Sequence, residues 1–214
     1  MNDIILVGAG GFGREVLWQI KEHCSKDFNV IGFVDNSPEL IGQSIEGVPV
    51  LGNDEWLAGY QNDVSVAICI ASPKIRKDIY NTLRTNPKIS YPTIIANNVI
   101  YSKNVQFGQG CIVCVSSLLT INVSLGDFVI INPSSKIAHD SSLGDFVTLY
   151  YSVNIAGNVK INNGVEIGTG TTIIQQKTIG ENSVIGAGAV VVKDIPANCV
   201  AMGVPAKPMI RTDR

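Results

Sequence analysis

From about Val99 onward the chain repeats a pattern every six residues. One slot of the repeat holds Phe107, Val113, Leu119, Leu125, Ile131, Ile137, Leu143, Leu149, Ile155, Ile161, Ile167, Ile173, Ile179, Ile185 and Val191, all apolar and without a break in register. A second slot, four residues later, holds small or β-branched residues such as Val123, Ser135, Val147 and Val159, and only Lys177 departs from it. A six-residue segment with one branched and one small inward residue is too short to enclose a core alone, so successive segments must coil and stack. Three such sides make one turn of a triangular prism. The phrase SLGDFV occurs at residues 124–129 and again at 142–147, one full turn apart, so the two copies belong to the same side of successive coils. About five coils are expected. An antiparallel β domain would show alternation broken by variable turns instead.

The first part of the chain follows different rules. Ile4, Ile5, Leu6 and Val7 form a short apolar run that ends in Gly8-Ala9-Gly10-Gly11-Phe12-Gly13, and Val16, Leu17 and Ile20 then recur at helical spacing within residues 14–23. Residues 30–34 read as a second strand ending at Asp35, and residues 64–70 as another. Pro73 behind Ser72 opens a helix carrying Ile75, Ile79, Tyr80 and Leu83. Residues 89–95 close the unit. The expected organisation is a small parallel α/β domain over residues 1–92, followed by the coiled β domain with a C-terminal tail over 93–214.

Net charge is −2, charged residues make up 16% of the chain, and no Lys/Arg-rich run is present, which argues against binding to nucleic acid or to an anionic membrane. No apolar stretch reaches the length of a membrane span, and the N-terminal run has no basic flank or cleavage site, so a cytoplasmic protein without membrane insertion is expected. The five cysteines are scattered in apolar context, as buried reduced thiols would be. Cys111 and Cys114 form a C-x-x-C with no second pair nearby, and no metal is expected.

These hexads resemble the hexapeptide-repeat acyltransferases, whose fold is a left-handed parallel β-helix. With the α/β domain in front and the tail Ala201-Met202-Gly203-Val204-Pro205-Ala206-Lys207-Pro208 behind, the chain is similar to the sugar acetyltransferases of the bacillosamine and sialic acid O-acetyltransferase type. The resemblance implies acetyl-CoA as co-substrate and a homotrimer with active sites between subunits.

Moving acetyl to an amine or hydroxyl needs a base, and histidine suits that task at neutral pH. In the hexad register Ile137 and Ser141 face inward, which puts His139 outside at or near a corner, followed directly by Asp140. The run His139-Asp140-Ser141-Ser142-Leu143-Gly144-Asp145-Phe146 matches the family's context for a catalytic histidine supported by an acidic residue. The resemblance also carries Asn132 over as a contact to the acceptor's reacting group. Thr148 stands where some members place a second histidine near the acetyl carbonyl. Gly157, Thr169, Gly186, Ala187 and Lys207 match positions lining the coenzyme A groove.

The G-x-G-x-x-G of residues 8–13, between strand and helix and with Asp35 ending the next strand, suits a dinucleotide on its own terms. The family resemblance implies a nucleotide-linked sugar there, with Gly10, Gly11 and Phe12 at the phosphate and sugar end and Asp35 and Asn36 at the base or ribose. The expected activity is N-acetylation of a nucleotide-linked amino sugar for surface glycan biosynthesis, with His139 as general base. The alternatives are O-acetylation of a sialic-acid-like sugar and a non-catalytic trimeric scaffold that binds nucleotide. A β-helix carbonic anhydrase would need three histidines on zinc, and the chain has two in all.

Overall fold

The computed structural model describes residues 2–210 and divides into two compact units at Asn97/Asn98. In the first unit β1 (Asn2–Val7) pairs in parallel with β2 (Phe28–Val34) on one side and β5 (Val64–Ile68) on the other. The edges are completed by β3 (Ser44–Ile45), β4 (Val48–Gly52) and β6 (Ile89–Ser90), giving the order β3-β4-β2-β1-β5-β6. Ile4, Ile5 and Leu6 are fully buried, as expected of a central parallel strand covered on both faces. Helix α1 (Gly11–His23) buries Val16, Leu17 and Ile20. The short α2 (Asp54–Ala58) starts at Asn53, whose side chain accepts the Trp56 N–H, and α3 (Pro73–Leu83) starts on Pro73.

Three details differ from the sequence expectations. Helix α1 begins at Gly11, earlier than the apolar periodicity signals, because Gly11 and Gly13 already lie in its first turn behind an extended Gly10. The strand expected at residues 89–95 splits into Ile89–Ser90 and Ile94–Ile95, and Pro92 between them has no N–H to give a ladder. The β3–β4 hairpin is antiparallel and turns on Glu46 and Gly47, both with positive φ (50° and 80°), at the edge of an otherwise parallel sheet.

The second unit is a parallel β-helix. Two-residue strands recur every six residues from Ile112–Val113 to Val190–Val191, and each of those up to Thr172–Ile173 pairs in parallel with the strand eighteen residues on. Ser124 lies against Ser142 and Leu125 against Leu143, so the repeated phrase stacks on itself. The inward column is dry: Leu119, Ile131, Leu149, Ile167, Ile173 and Ile185 are all almost fully buried. One residue per corner has positive φ, including Ser116, Asn122, Ser134, Asp140, Ser152 and Asn158. Short polar side chains that tolerate the left-handed conformation therefore recur there. Phe128 and Phe146 take the same conformation at successive coils, and their rings stack at 5.2 Å and 9°. The departure at Lys177 leaves the coil in register, since its carbonyl still accepts the Lys160 N–H at 2.9 Å. Its half-buried side chain runs outward and the ammonium donates to the Gln176 carbonyl at 3.1 Å. Cys199–Met202 continues one face of the prism, and Lys207–Ile210 folds back against it as an antiparallel ribbon.

Candidate active site

The corner after strand Lys136–Ile137 carries His139 and Asp140. Asp140 takes φ +59°, which turns its carboxylate back toward the preceding ring, and His139 Nδ1 lies 2.8 Å from Asp140 Oδ2. The other carboxylate oxygen accepts the Asn122 Nδ2–H at 3.0 Å from one coil earlier. The Asn122 amide, followed by the His139 ring, holds the Asp140 carboxyl below its ordinary value. An ionised carboxylate only accepts hydrogen bonds, so Nδ1 is the protonated nitrogen and the Nε2 lone pair is left open. The imidazole is 55% exposed, so that lone pair is reachable from outside the prism.

Beneath the ring lies Gly157, one coil later and itself buried. A Cβ there would sit 2.5 Å from His139 Cε1 and Nε2 and 3.0 Å from Nδ1. The missing side chain leaves the space in which the ring lies. Gly157 was expected to line the coenzyme A groove; within the chain its contact is with the imidazole.

Two other residues expected at the site are turned into the coil within the chain. Asn132 is 2% exposed and its Nδ2 donates to the Leu149 carbonyl at 2.9 Å, which ties one amide N–H to the coil. Thr148 is fully buried, so its hydroxyl is not offered to a cofactor in this chain. Thr148 pairs in register with Ile130, and Ile130 with Ile112, on a face whose residues at these positions are buried. Thr169, Ala187 and Lys207 are exposed and Gly186 is partly so. Thr169 and Ala187 stack one coil apart on a different corner from His139 and Gly157.

In the first unit the glycine turn is set by two close fits. Gly8 has φ +102°, and a Cβ on Gly13 would fall on the Gly8 carbonyl oxygen. Gly10 and Gly11 meet nothing within 4 Å of their ideal Cβ positions and are exposed, so no internal contact accounts for their small size. Helix α1 has no side-chain cap and no acidic residue in its first turn, which leaves its first N–H groups open to an anion. Phe12 is half-buried beside them. A groove of about 460 Å³ runs from Gly11 along the helix past Arg14, Trp18 and Lys21 to Glu46.

Asp35 ties this turn to the end of β2. Its Oδ2 accepts the Ala9 N–H at 2.8 Å and its Oδ1 the Ser37 N–H at 2.9 Å. Burial pushes the Asp35 carboxyl up, but the Ala9 and Ser37 backbone donors with the Ser37 hydroxyl outweigh it and the net direction is down. Asn36, next to it, closes on Asp54: Nδ2 donates to Asp54 Oδ2 at 2.7 Å and Oδ1 accepts the Asp54 N–H at 3.1 Å, so the side chain locks the start of α2.

The family model described as the PglD N-terminal domain matches residues 3–83. Over nearly its whole length the chain is similar to PerB from Caulobacter crescentus, solved in complex with CoA and GDP-perosamine, at 28% identity and TM-score 0.88, covering 98% of each chain. It is also similar to the acetyltransferase domain of PglB from Neisseria gonorrhoeae, at 28% identity and TM-score 0.88, covering 98% of this chain and 100% of that one. WeeI from Acinetobacter baumannii is 30% identical, with a TM-score of 0.85, over 96% of this chain and 99% of that one. The chain belongs to the hexapeptide-repeat acetyltransferases. No curated protein matches it.

As in other hexapeptide-repeat acetyltransferases, the coils form a left-handed parallel β-helix. The Caulobacter perosamine N-acetyltransferase has also been solved with one histidine changed to asparagine and to alanine. In this hexapeptide-repeat acetyltransferase one site residue escaped the sequence reading, namely Asn122. Its signal was present, because the eighteen-residue step from Asp140 leads back to it. Among the described residues no group of three or more His, Cys, Asp or Glu side chains is placed to hold a metal ion.

Proposed function

We infer that this chain is an acetyl-CoA-dependent N-acetyltransferase acting on the amine of a nucleotide-linked amino sugar for surface glycan biosynthesis. The observation that carries the reading is the exposed His139 ring, with Nδ1 fixed by Asp140 at 2.8 Å and its face laid on Gly157. The similarity to a structure holding CoA and GDP-perosamine supports the class of both substrates.

His139 Nε2 takes the proton of the attacking amine as the C–N bond to the acetyl carbon forms. Asp140 stabilises the imidazolium in that interval. The same nitrogen then returns the proton to the sulfur as the C–S bond breaks, so the products are an amide and a thiol and the base ends neutral. Acetyl-CoA supplies the activated acyl group. The exposed small residues Thr169 and Ala187, the partly exposed Gly186 and the exposed Lys207 fit the pantetheine arm and a phosphate. Among the described residues no cysteine or serine side chain is paired with the His139 ring, which favours direct attack over an acyl-enzyme.

His139 and the Thr169/Ala187 pair occupy different corners of one prism, so a single chain does not bring base and cofactor groove together. A homotrimer with each site between two subunits would place one subunit's His139 corner against its neighbour's Thr169 corner. In the first unit the open N–H groups of α1 would take the nucleotide phosphates beside Gly10, Gly11 and Phe12, with Asp35 shaping the turn. Placement in the bacillosamine-type subfamily rests on the match of the first unit to the PglD N-terminal domain. A cytoplasmic location fits the co-substrate and the five buried thiols, and no helix among the described residues is long and apolar enough to cross a membrane.

The test is CoA release from acetyl-CoA across UDP-, dTDP- and GDP-linked amino sugars and free sialic acid, with His139→Ala as control. Release with one amino-sugar nucleotide, lost in the variant, is expected. Release with sialic acid alone would move the activity to O-acetylation, and silence with every acceptor would oppose catalysis.

A further inference from the structure

We propose that Asn122 is a positioning residue for the general base, holding the Asp140 carboxylate in the plane from which it fixes His139. The inference rests on the acetyltransferase reading above.

Asp140 lies at an exposed corner, with its side chain 44% open to solvent. A carboxylate in that setting rotates freely about its last bond and exchanges its partners for water. Here both oxygens are assigned: Oδ2 to the ring and Oδ1 to the Asn122 amide at 3.0 Å. Two fixed oxygens define the carboxylate plane, and the plane sets the line along which the Nδ1–H points. The amide's orientation needs no further assumption, because only its NH₂ end can face an ionised oxygen. Asn122 and Asp140 stand one coil apart, both with positive φ (57° and 59°), so the parallel stacking of identical corners brings their side chains into register. Behind Asn122, its Oδ1 lies 3.5 Å from Asn104 Nδ2, at the long limit for a hydrogen bond. The chain runs from Asn122 through Asp140 to the imidazole, and Gly157 supplies the floor.

The competing reading is that Asn122 only ties two corners together. The molecule contains its own control. Asn182 Nδ2 donates to Asn198 Oδ1 at 3.3 Å on another corner, an asparagine rung with no histidine beside it. Asn182 has φ +55°, so it shares the conformation as well. A merely structural rung and a positioning rung can therefore be compared within one protein.

The experiment uses the full chain with Asn122→Gly, Asn122→Asp and Asn182→Gly. Glycine and aspartate both tolerate the left-handed conformation, so the backbone is kept while the donor is lost. The chain has two histidines, which makes the ring nitrogens resolvable by long-range ¹H–¹⁵N correlation at a pH where imidazole is neutral, with His139→Ala providing the assignment. The wild-type His139 should appear as the Nδ1–H tautomer, and both Asn122 variants should show a mixture with Nε2–H. Their kcat should fall about tenfold with both KM values unchanged, the size expected when an outer partner of a functional histidine is removed. Asn182→Gly should move neither. The proposal is overturned if the Asn122 variants keep the wild-type tautomer, if their kcat is unchanged, or if Asn182→Gly loses as much activity as they do. The ring spectra need no acceptor sugar, so failure of the acetyltransferase reading would be distinguished from failure of this one.

Discussion

Replacing Gly157 with alanine separates two roles that one glycine was expected to combine. The added Cβ would lie 2.5 Å from His139 Cε1 and Nε2, whereas carbon atoms in contact sit about 3.5–4.0 Å apart. The ring must therefore retreat by about 1 Å. It can do so without disturbing the core, because the imidazole is exposed and the coil below is unchanged. The retreat breaks the 2.8 Å contact with Asp140 and moves Nε2 from its line to the amine. A misplacement of this size costs about a hundredfold in rate, or about 2.7 kcal/mol in the activation barrier. Gly157 does not have positive φ, so alanine fits its backbone and stiffens the unfolded chain, worth about 0.4–1 kcal/mol in favour of folding. The expected outcome is a thermal midpoint near that of the wild type, kcat down about two orders of magnitude, and KM for acetyl-CoA unchanged. Initial rates of thiol release with acetyl-CoA varied would check it. A raised KM with kcat intact would refute the reasoning and return Gly157 to the cofactor groove.

Three further outcomes follow from the geometry. The Asn122 amide and the His139 ring depress the Asp140 carboxyl below its ordinary 3.8, so the stability they contribute is complete above that pH and is lost only as pH falls through the lower folded value; carboxyl ¹³C titration should place its midpoint beneath 3.8. Gly13→Ala would drive a Cβ into the Gly8 carbonyl, where backbone cannot yield, and should destabilise the first unit by about 1–3 kcal/mol and abolish binding of the nucleotide sugar, as read by thermal unfolding and calorimetric titration. Burial, with Asp35 and Glu55 nearby, pushes the Asp54 carboxyl up despite the Asn36 amide, so stability falls as pH rises from 3.8 through the raised value. Asp54→Asn should therefore unfold at a higher temperature than wild type at pH 7, and the gain should vanish below pH 3.8.

The coils were legible in the sequence because a hexad has only one way to bury a branched and a small residue while returning after eighteen. Ile137 and Ser141 had to face in, which left His139 outside with Asp140 beside it. In the first unit the glycine turn, Asp35 and the helix starting at Pro73 were legible for a similar reason, since each is a local signal at fixed spacing. The β3–β4 hairpin was not, because its edge strand β3 is only two residues long and carries no periodicity.

What the sequence alone determined is which residues share a column and which face the core. It did not determine what each polar side chain binds. Asn132, Thr148 and Asn36 are expected at the site by position; within the chain Asn132 donates to a carbonyl, Thr148 is buried and Asn36 closes on Asp54. Conversely Asn122 reaches Asp140, and Gly157 is a glycine because an imidazole lies on it. A hydrogen bond depends on tenths of an ångström and on the direction of a rotamer. Hexad spacing specifies the column of a side chain; only the stacked coils specify its nearest partner.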